Sequence, residues 1–105
     1  MNSYPPLNSL RAFEASIRLN SFSRAAEELN VTPGAVGQQI RKLEDWLGVE
    51  LFARSVRQVK PTADGLEYAV RISPALQQII DASQHLRGQR EHMVRVVMPP
   101  SFAAK

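Results

Sequence analysis

Residues 22–41, FSRAAEELNVTPGAVGQQIR, decide the fold of this chain. Ala25, Ala26 and Leu29 recur at helical spacing on one face of the first half, and Val36, Ile40 and Leu43 do so after the break. Val31, inside the break, is a third apolar anchor. Ala26 is small where two helices would approach closely, and Leu29 and Val36 can fill the angle between them. Two short helices locked at a steep angle across a tight turn form a helix-turn-helix, whose second helix suits the DNA major groove. An ordinary helical hairpin has the same local pattern, so the flanking sequence must choose between them.

Upstream, Pro5-Pro6 leads to Asn8, a candidate cap for a first helix carrying Leu10, Phe13 and Ile17 and ending near Leu19-Asn20. Ser21 or Ser23 caps the second helix, which runs to Leu29. Thr32 caps the third, with Pro33 at its first position, where a missing N–H costs nothing. Val36, Ile40, Leu43 and Leu47 form its buried side, and Gly48 is its stop signal.

Downstream, residues 50–53 and 58–60 read as two short strands around Arg54-Ser55-Val56-Arg57. With Leu51 and Val59 packed inward and the arginines projecting, this is a β-wing; a loop of solvated charges is the alternative. Arg54, Arg57 and Lys60 lie in a ten-residue stretch, 51–60, that contains no acid. Glu27, Glu28, Glu44 and Asp45 are expected to face away from a DNA ligand.

Thr62 caps a long helix, with Asp64 at the positive end of its dipole. Residues 62–87 would span about 38 Å at 1.5 Å per residue. Ala69, Ile72, Leu76, Ile79, Ser83 and Leu86 recur at spacings of three and four, and Leu66 and Ile80 widen the stripe. Such a stripe either packs on the chain's own small domain or forms a dimerising seam. Dimerisation is favoured, because the helix outruns a core of some sixty residues. Pro74 should bend it near Val70 to Ile72. Gly88-Gln89-Arg90-Glu91 reads as a hinge, and residues 93–98, MVRVVM, as a strand. A strand without a partner is unstable, so the chain reads as truncated just inside a further domain. The expected organisation is mainly α: a winged helix-turn-helix over 1–61 (helix-turn-helix about 22–41, wing about 50–61), a long dimerising linker helix over 62–87, and a hinge and first strand over 88–105.

Composition narrows the function. The chain has 105 residues, 44% of them hydrophobic, with net charge +3 and no cysteine. That is enough for one small domain plus an extension. It excludes disulfides and thiolate metal sites. No apolar run approaches the roughly 20 residues of a membrane span, and the N-terminus does not read as a signal peptide. His85 and His92 lack a ligand cluster. There are no carboxylates paired near a histidine and no glycine-rich phosphate loop, so neither an enzyme, nor a metal, nor a cofactor is expected. The expected location is the cytoplasm.

Taken in order, LNSLRAF (7–13), SFSRAAEEL (21–29), Val31-Thr32-Pro33, Ala35-Val36, Gln39-Ile40, Leu43-Glu44, Leu47-Gly48-Val49, Leu51-Phe52 and TADG (62–65) resemble the LysR-type transcriptional regulators. The N-terminal wording is nearest the branch that includes glycine-cleavage and β-lactamase activators. The resemblance covers nearly the whole chain. It implies a winged helix-turn-helix followed by a linker helix that pairs antiparallel with its twin. It also implies a dimer that becomes a tetramer at full length, a further domain binding a small-molecule effector, and RNA polymerase as a candidate partner. Ser101 falls where relatives often place a hydroxyl against an effector anion. Two positions depart from the family pattern. Gly37 stands where a serine is common, and Gln38 where arginine or histidine is frequent. Gly34 and Gly37 share one exposed face, which reads either as close backbone approach to DNA or as drift.

For a DNA reader, the exposed end of the third helix offers Thr32, Pro33, Gly34, Gly37, Gln38 and Arg41. Gln38 can bond adenine bidentately and Pro33 can lie on a thymine methyl, while Arg41 suits phosphate. Arg57 is the minor-groove candidate, and Ser23, Arg54 and Lys60 the backbone anchors. Leu66, Ala69, Ile72, Leu76, Ile79, Ile80 and Leu86 are the dimerisation candidates. A protein-interaction adaptor could share this architecture, but it has no need of a basic wing.

Overall fold

The computed structural model describes residues 3–54 and 59–97, with side chains through residue 90. Arg57 and Ser101 lie outside the described residues. In chain order the elements are α1 (Leu7–Leu19), α2 (Phe22–Leu29), α3 (Pro33–Leu47), β1 (Phe52–Arg54), β2 (Val59–Pro61) and α4 (Ala63–Val97). The chain divides into two units, one ending at Pro74 and one beginning at Ala75.

In the first unit, α1 packs on α2 and α3, and α2 packs on α3. The side chains of Phe13, Val36, Ile40, Leu43 and Leu51 are fully buried at the centre. Each such burial supplies about 1.5–3 kcal/mol of transfer free energy. Ala25 and Ala26 are buried too, which lets α2 come close. Ser9 on α1, also buried, donates its hydroxyl hydrogen to Gln39 Oε1 on α3 at 2.7 Å, a polar pin inside the packed pair.

The breaks between helices follow from local chemistry. Ser21 Oγ accepts the Arg24 N–H at 3.0 Å and Thr32 Oγ1 accepts the Ala35 N–H at 3.1 Å, so both helices begin where a hydroxyl satisfies an orphan donor. Asn20 and Asn30, at φ 54° and 59°, end α1 and α2 in the left-handed region that asparagine tolerates. Gly48, at φ 78°, ends α3. The turn closes through the Val31 N–H to the Ala26 carbonyl at 3.0 Å. Its side chain is not the anchor expected, being 47% exposed; the backbone bond closes the turn and leaves the isopropyl group at the rim. Asn8 is not a cap either. The N-cap position is Pro6, without a side-chain bond, and Asn8 Oδ1 instead accepts from Arg11 Nη1 at 3.3 Å.

β1 and β2 pair antiparallel, with Phe52 opposite Pro61, Ala53 opposite Lys60 and Arg54 opposite Val59. Phe52 points into the core, meeting Phe22 at 5.3 Å and Phe13 at 6.0 Å between centroids, both edge to face. Val59 does not pack inward as expected. It lies farther out along the ribbon than Phe52 and stays exposed.

α4 is stapled to the wing at its first turn. Thr62 Oγ1 accepts the Gly65 N–H at 2.9 Å and donates to the Glu50 carbonyl at 2.8 Å, while the Thr62 N–H donates to the Leu51 carbonyl at 3.0 Å. A Cβ on Gly65 would lie 2.1 Å from the Leu51 carbonyl oxygen, so this crossing needs glycine. Tyr68 then meets Phe13 at 5.5 Å, and its burial pushes the phenol pKa up. Ala69 is 7% exposed and belongs to the domain core, which corrects its assignment to the dimer seam.

In the second unit α4 runs on to Val97. The expected hinge at residues 88–91 and strand from residue 93 are therefore corrected: the backbone is helical through both, as far as Val97. Gly88 keeps an ordinary negative φ. A lone strand would leave its N–H and C=O groups unpaired, whereas the helix pairs them internally. From Ala75 to Arg90 every side chain except half-buried Leu76 is exposed.

Candidate nucleic-acid interface

The exposed face of α3 is built by the register of its buried face. With Val36, Ile40 and Leu43 turned into the core, Gly34, Gln38 and Arg41 fall on the opposite side and are exposed. Thr32 and Pro33 are exposed at the helix's N-terminus, while Gly37 is half-buried. Neither glycine is required by its neighbours. A Cβ on Gly37 would meet nothing within 4 Å, and one on Gly34 only Thr32 Oγ1 at 4.0 Å.

Lys42 is a further exposed cation, four residues after Gln38 and missed from the sequence. The i, i+4 spacing was the available signal. Asp45 was expected to face away, yet it is exposed four residues after Arg41, and so shares that side of the helix. The other acids behave differently. Glu28 pairs with Arg18, which also binds Glu14 at 2.8 Å, linking α2 to α1. The Arg18 guanidinium holds the Glu28 carboxyl below its usual range, and the two carboxylates raise Arg18 in turn.

Ser23 is exposed on the first turn of α2, and Lys60 is exposed on the outer face of β2. Arg54 is not the unopposed cation that the acid-free stretch suggested. Its Nη1 donates to Glu44 Oε1 at 3.1 Å. Glu44 was missed because the contact joins residues ten apart across the α3–β1 turn. Among the seam residues, Leu66, Ile79, Ile80 and Leu86 are exposed, and Ile72 and Leu76 are half-buried. Among the described residues no group of three or more acidic or histidine side chains could hold a metal ion, and no helix is long and apolar enough to cross a membrane.

A helix-turn-helix with a polar, partly basic α3 face beside a two-stranded wing agrees with comparisons to known proteins. The chain is 49% identical over 102 residues to the HTH-type transcriptional regulator TrpI of Pseudomonas aeruginosa, covering 96% of this chain and 35% of that protein. It is 44% identical over 100 residues to the glycine cleavage system transcriptional activator of Escherichia coli, covering 94% of this chain and 33% of the relative. The chain thus spans about a third of the length of these relatives. Among solved structures, a CbnR DBD–DNA complex superimposes with TM-score 0.70 at 26% identity, over 81% of this chain and 98% of that one. Vibrio fischeri DarR in complex with DNA gives TM-score 0.70 at 28% identity, over 87% of this chain and 30% of that one. The family described as bacterial regulatory helix-turn-helix protein, lysR family, matches residues 7–66, so the chain belongs to the LysR family of transcriptional regulators.

Proposed function

We propose that this chain is the DNA-reading part of a LysR-type regulator that binds a two-half-site operator as a dimer, with α3 in the major groove and the wing over the backbone. The observation that carries the reading is the α3 face itself: Pro33, Gly34, Gln38 and Arg41 are presented together, clear of the core. The DNA complexes of structural relatives support it. Gln38 reads a base edge, Pro33 lies on a thymine methyl, and Thr32, Gly37, Arg41, Ser23, Arg54 and Lys60 approach the backbone. Arg57, between β1 and β2, is the minor-groove contact. Leu66, Ile72, Leu76, Ile79, Ile80 and Leu86 line the dimer contact on α4. The whole regulator works in the cytoplasm without enzymatic activity, and as a tetramer. A small effector bound beyond this chain controls it, Ser101 being a candidate contact, and RNA polymerase is a downstream partner.

The test is a titration of duplex DNA over a range of salt. Log K should fall linearly with log salt, and Arg57→Ala should lower the slope by about one per subunit. Unchanged slope and affinity would make Arg57 a solvated loop charge.

A further inference from the structure

Glu44 is the only charged side chain that is buried among the described residues, at 7% exposure. It sits on α3, the helix that carries Gln38 and Arg41, one turn beyond Arg41. Its Oε2 accepts the backbone N–H groups of Leu51 at 2.8 Å and Phe52 at 3.2 Å, and its Oε1 accepts from Arg54 Nη1 at 3.1 Å. One carboxylate therefore joins the recognition helix to the entry of the wing and to the wing's first cation.

The two backbone bonds alone do not call for a charge. A neutral amide oxygen could accept both, without the cost of desolvating an anion. What an ionised group adds here is a hold on Arg54, whose side chain stays 28% exposed while Glu44 engages one of its nitrogens. A guanidinium carries five donors in a rigid fork, so one carboxylate oxygen leaves others for a second anion. Fixing a long side chain beforehand removes ordering entropy that binding would otherwise cost.

We propose that Glu44 is a positioning residue for DNA binding, holding Arg54 as a preset phosphate clamp at the outer end of β1. This rests on the DNA-binding reading above. Simple electrostatics makes the opposite forecast, since an acid beside a phosphate site repels DNA and its removal should tighten binding. The two accounts differ in sign.

The experiment uses the whole chain and a labelled duplex enriched by that chain from a random pool. Glu44→Gln keeps size and an acceptor for Leu51 and Phe52 but presents no charge to Arg54. The expected result is binding weakened about tenfold, despite the added positive charge. Arg54→Gln should weaken it similarly and lower the salt slope by about one per subunit. The double variant should bind no worse than Arg54→Gln alone, because both act through one contact. A folded Glu44→Gln that binds as tightly as the parent, or more tightly, overturns the proposal, as do strictly additive effects. Should Glu44→Gln fail to fold, Arg54→Lys decides. It keeps the charge and loses the fork, so affinity should drop with the slope unchanged, and parent-like binding overturns the proposal. The parent titration stands apart: if the parent enriches and binds no duplex, the DNA-binding reading itself fails and the clamp falls with it.

Discussion

Gly65 and Gly37 both sit in helices, yet their surroundings differ. A Cβ at position 65 would stand 2.1 Å from the Leu51 carbonyl oxygen, while one at position 37 would meet nothing within 4 Å. Gly65→Ala must push α4 off the wing and should cost about 1–3 kcal/mol. Gly37→Ala removes only backbone freedom from the unfolded chain and should stabilise by about 0.5–1 kcal/mol. Urea midpoints of the two variants check both signs; a stable Gly65→Ala would show that the α4–Leu51 crossing is loose. Gln38 belongs to the same scale. Gln38→Ala should leave the melting temperature intact and relax preference at one base pair per half-site, by about 1–3 kcal/mol against the preferred base. Site selections with parent and variant side by side test it, and identical preferences would mean that Gln38 is not a reader.

At the scale of elements, α1 and α2 are tied on their outer surface by Arg18, held between Glu14 and Glu28. Glu28's carboxyl pKa is lowered by Arg18 in the folded chain. Its contribution is therefore present above the unfolded carboxylate value and is lost as pH falls through the lower folded value. Both side chains are more than two-fifths exposed, so solvent screening keeps the effect well under about 1 kcal/mol. Glu28→Gln should flatten the acid limb of stability below about pH 4.5 and leave neutral stability little changed. An acid limb identical to the parent's would contradict this. The elements themselves were largely legible in the sequence, because caps are local: Ser21, Thr32, Gly48 and Thr62 each act on a neighbour three or four residues away. Gln38 and Arg41 were legible for a similar reason, their exposure following from the period of Val36 and Ile40. Glu44, Gly65 and the Ser9–Gln39 bond were not, since each acquires its role only when a partner from another element arrives. MVRVVM misled because its β-branched residues favour a strand, while nothing in the described chain offers that strand a partner.

For the whole molecule, the exposed apolar residues of the second unit matter most. Leu86 is 67% exposed and Ile79 53%, and the described chain covers neither. Putting charge at both Leu76 and Ile79 should give monomers that bind a full operator far more weakly, as sedimentation and DNA titration would report. A parent already monomeric at micromolar concentration would contradict the dimer. The central claim is that two such chains read DNA through α3, and selection of duplexes from a random pool tests it most directly. The account predicts convergence on a pair of inverted half-sites in register with the duplex turn, bound more weakly and read less strictly at one base pair per half-site when Gln38 and Arg41 are both replaced by alanine. A selected pool no different from the starting one, at low salt and with folded protein, would contradict it.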